Sequence, residues 1–212
     1  MQLQLFHSVD KDKPLRVERI PYEDAKQFLL PRHYSGRMPI VSHAYGWIQG
    51  NTIRACLTIS KPASHFVCSS PFGEEYSSMV YELSRLCSDG GELPPLSKFL
   101  GECLRMLRDM NIVLVSYADT GMQHNGYIYQ STNWIYTGKT KERLDRVSVE
   151  GKHNRHNHRI DGDIFQLRTA KHRYLYYCIR AKSYRKKLQS LLRWDIEPYP
   201  KGINKRYKVE VQ

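Results

Sequence analysis

Arg85 and Asp119 stand at matching places in two strand-like runs, and a guanidinium and a carboxylate so placed can bind an anion and move a proton. Arg85 belongs to Tyr81-Glu82-Leu83-Ser84-Arg85-Leu86-Cys87, whose alternation fits a strand with one face in a core and the other in a cleft. Asp119 ends the near-continuous β run Asn111-Ile112-Val113-Leu114-Val115-Ser116-Tyr117-Ala118-Asp119. The donor fork of Arg85 suits a pyrophosphate or a carboxylate; a salt bridge to Glu82 or Asp119 is its structural alternative. Asp119 could accept a proton, hold Tyr129, or cap the segment that follows it. His33 and Tyr34 lie in the polar loop Arg32-His33-Tyr34-Ser35-Gly36-Arg37-Met38-Pro39. They could serve as a base, as metal ligands or as a stacking face, or be plain surface.

The elements that must position these groups can be read from the pattern. After Cys87 comes a turn, Ser88-Asp89-Gly90-Gly91, and then a helix from about Pro95 to Met110. On it Leu96, Phe99, Leu100, Cys103, Leu107 and Met110 share one face. With the run ending at Asp119 this makes a βαβ unit, and ligands of open α/β sheets gather at the carboxyl ends of such strands. Upstream, a strand over Leu15–Ile20 leads to a helix opened by Pro21, with Glu23 and Asp24 in its first turn. Ala44–Gln49 and Ile53–Ser60 form a hairpin about Gly50-Asn51. Residues 62–76 read as irregular, and His65 with Cys68 lacks the second pair a metal site needs. Beyond Asp119 the sequence predicts a helix through Gln130, a strand over Trp134–Gly138 and a polar, basic stretch over 139–163. A strand or hairpin over Arg173–Arg180, a basic helix over Ala181–Arg193 and a Pro-rich tail follow.

The 212 residues, 41% of them hydrophobic, can fill the core of one domain with an appendage. No apolar run approaches the roughly 20 residues needed to cross a bilayer, and the N-terminus lacks the blocks of a signal peptide. The cysteines (Cys56, Cys68, Cys87, Cys103 and Cys178) form no C-x-x-C pair and read as reduced thiols of a cytosolic protein. The net charge of +12 is unevenly placed. Residues 1–138 hold 13 Lys+Arg against 13 Asp+Glu, whereas 139–212 hold 20 against 8, so the excess lies in the last third. A neutral body with a basic flank suggests a polyanionic partner, the alternative being a solvated face. Aromatics interleaved with the basic residues, as in His172-Arg173-Tyr174, favour nucleic acid. In Lys152-His153-Asn154-Arg155-His156-Asn157-His158-Arg159 the histidines have a loose metal spacing, but the cations among them favour a phosphate-contacting loop or a disordered surface.

Three stretches together resemble the Mom family of bacteriophage DNA-modification proteins: Glu82-Leu83-Ser84-Arg85-Leu86, Val115-Ser116-Tyr117-Ala118-Asp119, and Gly126-Tyr127-Ile128-Tyr129-Gln130 continuing to Trp134-Ile135-Tyr136-Thr137-Gly138. His33-Tyr34-Ser35-Gly36-Arg37 and Glu197-Pro198-Tyr199-Pro200-Lys201 look like further landmarks. The resemblance implies an α/β (α+β) fold similar to the Gcn5-related N-acetyltransferases. That is a mixed, mostly antiparallel sheet flanked by helices and splayed open in the middle, with acyl-CoA in the split. Residues 1–138 would be the acetyltransferase-like core, and 139–212 a basic region that completes the sheet and contacts DNA. It further implies a transferase that converts adenine N6 in phage DNA to a carbamoylmethyl form, with acetyl-CoA as donor, in the cytoplasm of the infected bacterium. Host restriction enzymes would then no longer read that amine.

On this resemblance the catalytic groups are Asp119, Tyr129, His33, Tyr34 and Glu82, with the Tyr129 phenol protonating the departing thiolate. Arg85, Leu86, Cys87 and Tyr127 would meet the cofactor. Arg37, Lys152, Arg155, Arg159, Lys171, Arg173, Arg185 and Lys186 would track the phosphates of double-stranded DNA presenting a flipped adenine. A His, a Tyr and an Asp could also ligate iron, because building a C–C–N unit demands more than acyl transfer. One departure stands out. Acetyltransferases hold the CoA pyrophosphate on a Q/R-x-x-G-x-G/A loop and the helix N-terminus after it; here Arg85 to Pro95 is longer and carries Asp89 and Glu92. Two other readings remain: an N-acetyltransferase acting on a small amine or a modified pyrimidine in DNA, and a non-catalytic basic DNA-binding module.

Overall fold

Strands β4 (Val80–Ser88) and β5 (Ile112–Asp119) run side by side and parallel, joined by helix α3 (Leu96–Met106), as the βαβ reading requires. The computed structural model describes residues 10, 12–146 and 165–202. Within them the sheet is β1-β2-β3-β4-β5-β9-β6, seven strands in which every pair other than β4–β5 is antiparallel. The other strands are β1 (Leu15–Arg19), β2 (His43–Gln49), β3 (Thr52–Ser60), β6 (Ile135–Lys139) and β9 (Lys171–Cys178). β9 comes from the basic last third yet sits inside the sheet between β5 and β6.

The parallel pair is short. It is registered only at Val80–Val113, Tyr81–Leu114 and Glu82–Val115, after which the strands part. At this fork the Ser116 hydroxyl donates to the Leu83 carbonyl (2.9 Å), a side chain standing in for a ladder bond. A bulge sits on the β4 wall. Thr58 of β3 faces Arg85 and Ile59 faces Leu83, so Ser84 is the extra residue. Leu83 therefore packs into the core beneath α3, whereas Arg85 turns to the opposite face.

Helix α3 covers one face of the sheet. Its Phe99, Leu100, Cys103 and Leu104 are buried with Trp47, Leu57, Leu114 and Tyr174, and Phe99 stacks on Trp47 at 5.6 Å. At ~1.5–3 kcal/mol for each large apolar side chain removed from water, this face is the main source of stability. The other face carries two separate apolar clusters. One lies under α1 (Tyr22–Leu29) with Ala25, Phe28 and Leu29 against Ile48 and Cys56. The other lies under α5 (Lys182–Ser190), where Leu188 meets Val113, Val115, Leu175 and Tyr177. The fork opens between them.

Four expectations need correction. Residues 62–76 are not irregular throughout: α2 (His65–Ser69) and a 3-10 turn (Glu74–Met79) lie there. Over 120–130 there is only a 3-10 turn at Thr120–Met122 and a short α4 (Tyr127–Gln130), because Gln123 (φ 54°) and Gly126 (φ 70°) take left-handed conformations that break a helix. A Cβ at Gly126 would also meet the Tyr174 ring at 2.4 Å. The helix from Pro95 ends at Met106 and continues as a 3-10 turn to Met110. The polar stretch after β6 contains β7 (Arg143–Arg146), which pairs antiparallel with β8 (Phe165–Arg168) in a separate two-stranded sheet.

Candidate active site

The fork gathers the residues singled out above. Glu82 is the last residue of β4 paired with β5, Arg85 follows on the same wall, and Asp119 ends β5. Lys171 of β9 lies directly across from Asp119. Its ammonium donates to Asp119 Oδ2 (2.7 Å), while Asp119 Oδ1 accepts from the Thr169 hydroxyl (2.6 Å) and the Gly121 amide (3.0 Å). Both of the readings offered for this carboxylate can be seen at once: it caps the 3-10 turn and it faces the fork. Burial pushes its pKa up, but the Lys171 and Thr169 hydrogen bonds, the Lys171 charge and the Gly121 amide outweigh that. Asp119 stays below the usual carboxylate range.

Glu82 is the opposite case. Its burial in the fork raises its pKa, and the charges of Arg85, Lys171 and Arg168 only partly offset this. Two carboxylates on one face are thus shifted in opposite directions by their surroundings, a pattern that separates a proton carrier from a fixed charge.

Arg85 makes neither of the salt bridges considered for it. Its Nε and Nη2 both donate to the Arg37 carbonyl (3.3 and 3.0 Å) and Nη1 donates to the Ser84 carbonyl (2.6 Å). The guanidinium therefore ties the 33–39 loop to β4. Cys87 adds a second strap, its Sγ 3.6 Å from the Arg32 carbonyl; burial pushes that thiol up to about 11, so it is no nucleophile at neutral pH.

The loop so held brings His33 and Tyr34 over the fork. Their rings stack at 4.5 Å, and the His124 ring meets Tyr34 edge-on at 6.1 Å. His33 Nδ1 is occupied by the Ser35 hydroxyl (2.9 Å) and amide (3.2 Å), which leaves Nε2 for the site. Burial first, then the charges of Arg85, His124 and Lys171, lower the His33 pKa to about 4, so the ring is neutral near pH 7. Tyr34 is raised by burial and by Asp119.

Tyr129 reaches the fork from the other face of the sheet. Its hydroxyl is hydrogen-bonded to Ser116 Oγ (2.8 Å), and burial pushes its pKa up to about 12, with Tyr34 and Glu82 adding to the rise. The phenol is thus protonated and within electrostatic reach of groups on the opposite face. Leu86 packs against the α3 core, and the Tyr127 hydroxyl donates to the Gly202 carbonyl (2.7 Å), which holds the tail. The acidic turn before α3 also has an explanation: Asp89 pairs with the buried Arg54 and accepts from the Gly91 amide, so its charge is turned inward. No side chain caps the N-terminus of α3.

Among the expected phosphate contacts, Arg37 is exposed and lends its carbonyl to Arg85. Lys171 is bound to Asp119. Arg173 lies under Trp194 (3.7 Å) and donates to Thr137, and Arg185 and Lys186 are on α5. Lys152, Arg155 and Arg159 lie outside the described residues. Sequence reasoning missed three partners and placed a fourth, His124, without its contact. Ser116 looks like an ordinary strand residue, and Thr169 and Arg168 acquire their roles only through the pairing of β9 with β5 and the placement of β8; His124 follows Asp119 closely in sequence, but its contact with Tyr34 depends on the 33–39 loop folding over it. Iron would find an imidazole, a phenol and a carboxylate in His33, Tyr34 and Asp119. Among the described residues no group of three or more His, Cys, Asp or Glu could hold a metal, so the Tyr34 phenol is essential to such a set. Lys171 would have to leave Asp119 to make room. No helix among the described residues is long and apolar enough to cross a membrane.

Comparison with known proteins adds the following. Residues 14–201 match the model of the Mom protein family. A search of curated proteins found no match. Among solved structures, the IAA acetyltransferase of Bacillus cereus ATCC 14579 is 13% identical and covers 77% of this chain and 99% of its own, with a TM-score of 0.48. An acetyltransferase of Bacillus subtilis in complex with CoA is 12% identical over 77% and 99%, with a TM-score of 0.47. The ribosomal-protein-S18-alanine N-acetyltransferase of Escherichia coli is 8% identical over 79% and 96%, with a TM-score of 0.48. These are distant likenesses, and none bears on what this chain acts upon.

Proposed function

The chain belongs to the Mom protein family, and from that premise we propose that it is an acyl-CoA-dependent transferase that modifies adenine at N6 in phage DNA. The product is the carbamoylmethyl form, which host restriction enzymes do not read, and the work is done in the cytoplasm of the infected bacterium. The observation that supports this reading is the fork itself. A parallel pair that parts after Glu82 and Val115 opens a slot, and the proton-handling groups of both faces converge on it.

In this reading the thioester of acetyl-CoA enters between β4 and β5, with the cofactor phosphates toward the uncapped N-terminus of α3. The adenine lies against the His33–Tyr34–His124 rings, a stacking surface of the kind that holds extruded bases. Glu82, whose carboxyl is raised by burial, takes the proton from the attacking amine. Tyr129 returns a proton to the departing thiolate. Asp119, kept ionised, fixes Lys171 at the mouth of the slot, where that ammonium can meet a phosphate or a developing negative charge. Acyl transfer alone would leave N6-acetyladenine and free CoA; the carbamoylmethyl product needs in addition a terminal oxidant such as dioxygen and an amine-level nitrogen donor, redox chemistry that iron held by His33, Tyr34 and Asp119 would serve.

The test is chemical. Purified protein is incubated with duplex DNA and acetyl-CoA labelled in both acetyl carbons, and the DNA is digested to nucleosides. The label is expected on deoxyadenosine. Label on a pyrimidine points instead to the N-acetyltransferase reading, and transfer to no base, with DNA still bound, points to the non-catalytic module.

A further inference from the structure

The fork holds one more phenol, Tyr117. It lies on β5 between Val115, where the parallel pairing ends, and Asp119, and strand alternation puts all three on one face. Glu82 is paired with Val115, so Tyr117 is the next residue on that face beyond the point where the strands part. With strands ~4.8 Å apart and two residues of rise between them, the Cα atoms of Glu82 and Tyr117 start about 8 Å apart. Their closeness shows in the electrostatics: burial, and then the Glu82 charge, push the Tyr117 phenol up. The Cys68 thiol of α2 is raised mainly by burial, feels Glu82 and is felt by Tyr117, so α2 backs the pair.

Both groups keep unused hydrogen-bonding capacity. Among the described residues neither the Glu82 carboxyl nor the Tyr117 hydroxyl has a hydrogen-bond partner, and neither is sealed from the slot. The cations that could have satisfied them are committed elsewhere. Arg173, across from Tyr117 on β9, donates to the Thr137 hydroxyl and carbonyl and lies against Trp194. Lys171 is held by Asp119, and Arg85 by the Arg37 and Ser84 carbonyls. The Tyr117 ring packs on the apolar cluster under α5, which steadies it. A phenol at neutral pH offers a donor and a carboxylate only accepts. Half-buried polar groups left without partners are uncommon, and a donor and an acceptor side by side fit the edge of a ligand.

We propose that Tyr117 is a specificity-determining residue of the transferase: its hydroxyl donates to N1 of the extruded adenine while Glu82 accepts from N6. Together the two groups read an amino group beside a ring nitrogen that carries no proton. Guanine and thymine present a carbonyl beside an N–H at those places, so the Glu82 carboxylate meets an oxygen and repels it. Cytosine has the same edge as adenine, but with a single ring it holds that edge closer to the sugar and falls short of the pair. The N1 contact also tightens during reaction. As Glu82 takes one N6 proton, the electron pair left behind spreads onto N1, where the phenol meets it and keeps its own proton. The inference rests on the reading of adenine N6 as the acceptor.

The experiment is a cycle between enzyme and substrate. The full chain and Tyr117→Phe are given labelled acetyl-CoA and random-sequence duplexes made with adenine, 1-deazaadenine or 3-deazaadenine, and kcat/KM for label transfer is measured. Tyr117→Phe should lose roughly ten- to a hundredfold on adenine. Wild type should lose at least as much on 1-deazaadenine and little on 3-deazaadenine. Removing N1 should cost the variant roughly tenfold less than it costs wild type, because the donor is already gone. The variant sheds a hydroxyl without a partner, so its urea midpoint should match or exceed that of wild type. A clearly lower midpoint would give the hydroxyl a structural job and overturn the proposal. A 1-deaza penalty of equal size in both enzymes, an equal 3-deaza penalty in wild type, or a variant as active as wild type on adenine also overturns it, and each leaves adenine as the acceptor. A wild type that labels no adenine defeats the reading of function itself, and this inference with it.

Discussion

Acidification should unfold this protein earlier than its carboxylates alone would require, because His33 must be kept neutral. Its pKa falls from 6.5 to about 4, chiefly through burial and then through Arg85, His124 and Lys171. The sign follows from linkage. Below pH 6.5 the unfolded chain binds a proton at His33 that the native site refuses, so stability present above 6.5 is lost progressively as pH falls toward 4. At 1.36 kcal/mol per pH unit the full effect is about 3 kcal/mol at pH 4, and about 2 kcal/mol once solvent screening of a partly open ring is allowed for. Urea unfolding of wild type and His33→Asn from pH 7.5 to pH 4 measures it. Asn keeps an acceptor for the Ser35 amide and does not titrate. Wild type should lose about 2 kcal/mol more than the variant across that range. Parallel stability curves would refute the claim that the site imposes this neutrality.

Three further outcomes follow from the same geometry. Glu82→Gln should lower base modification by roughly a hundredfold or more. Because the wild-type carboxyl holds its proton more tightly when folded, it loses stability as pH rises through its raised pKa, so the variant should gain on wild type toward neutral pH in urea unfolding. Asp119→Asn should cost roughly 1–3 kcal/mol by leaving Lys171 poorly paired, and a thermal midpoint equal to that of wild type would argue against the pair. Arg54→Ala strands the Asp89 carboxylate next to the turn into α3, at a cost of roughly 3–5 kcal/mol in urea unfolding; a loss under 1 kcal/mol, the scale of an exposed pair, would mean that Asp89 finds water instead.

Much of the framework could be read from the chain because its signals are local. The β2–β3 hairpin, the α3 stripe and the β4–α3–β5 unit each announce themselves by period and turn residues. What could not be read depends on pairing between distant segments. The alternation in Leu83-Ser84-Arg85-Leu86 looks like a regular strand, but the bulge that sends Arg85 and Leu83 to opposite faces is set by the register with Thr58 and Ile59. The helix expected through Gln130 was broken by backbone conformations at Gln123 and Gly126 that no periodicity reveals. At the site, the residue types and the shared face were legible, and the partners were not. Lys171 looked like a phosphate contact and is the counter-ion of Asp119. Arg85 looked like an anion fork and straps a loop. Both roles come from β9 and the 33–39 loop folding onto strands far away in sequence.

The most direct test is to express the chain in a bacterium, digest the genomic DNA to nucleosides and weigh the deoxyadenosine fraction. Wild type should yield a deoxyadenosine heavier by one carbamoylmethyl group, and Glu82→Gln, expressed and folded to the same level, should yield almost none. Unmodified deoxyadenosine from the wild type, or full modification by the variant, would contradict a transfer carried out in the fork.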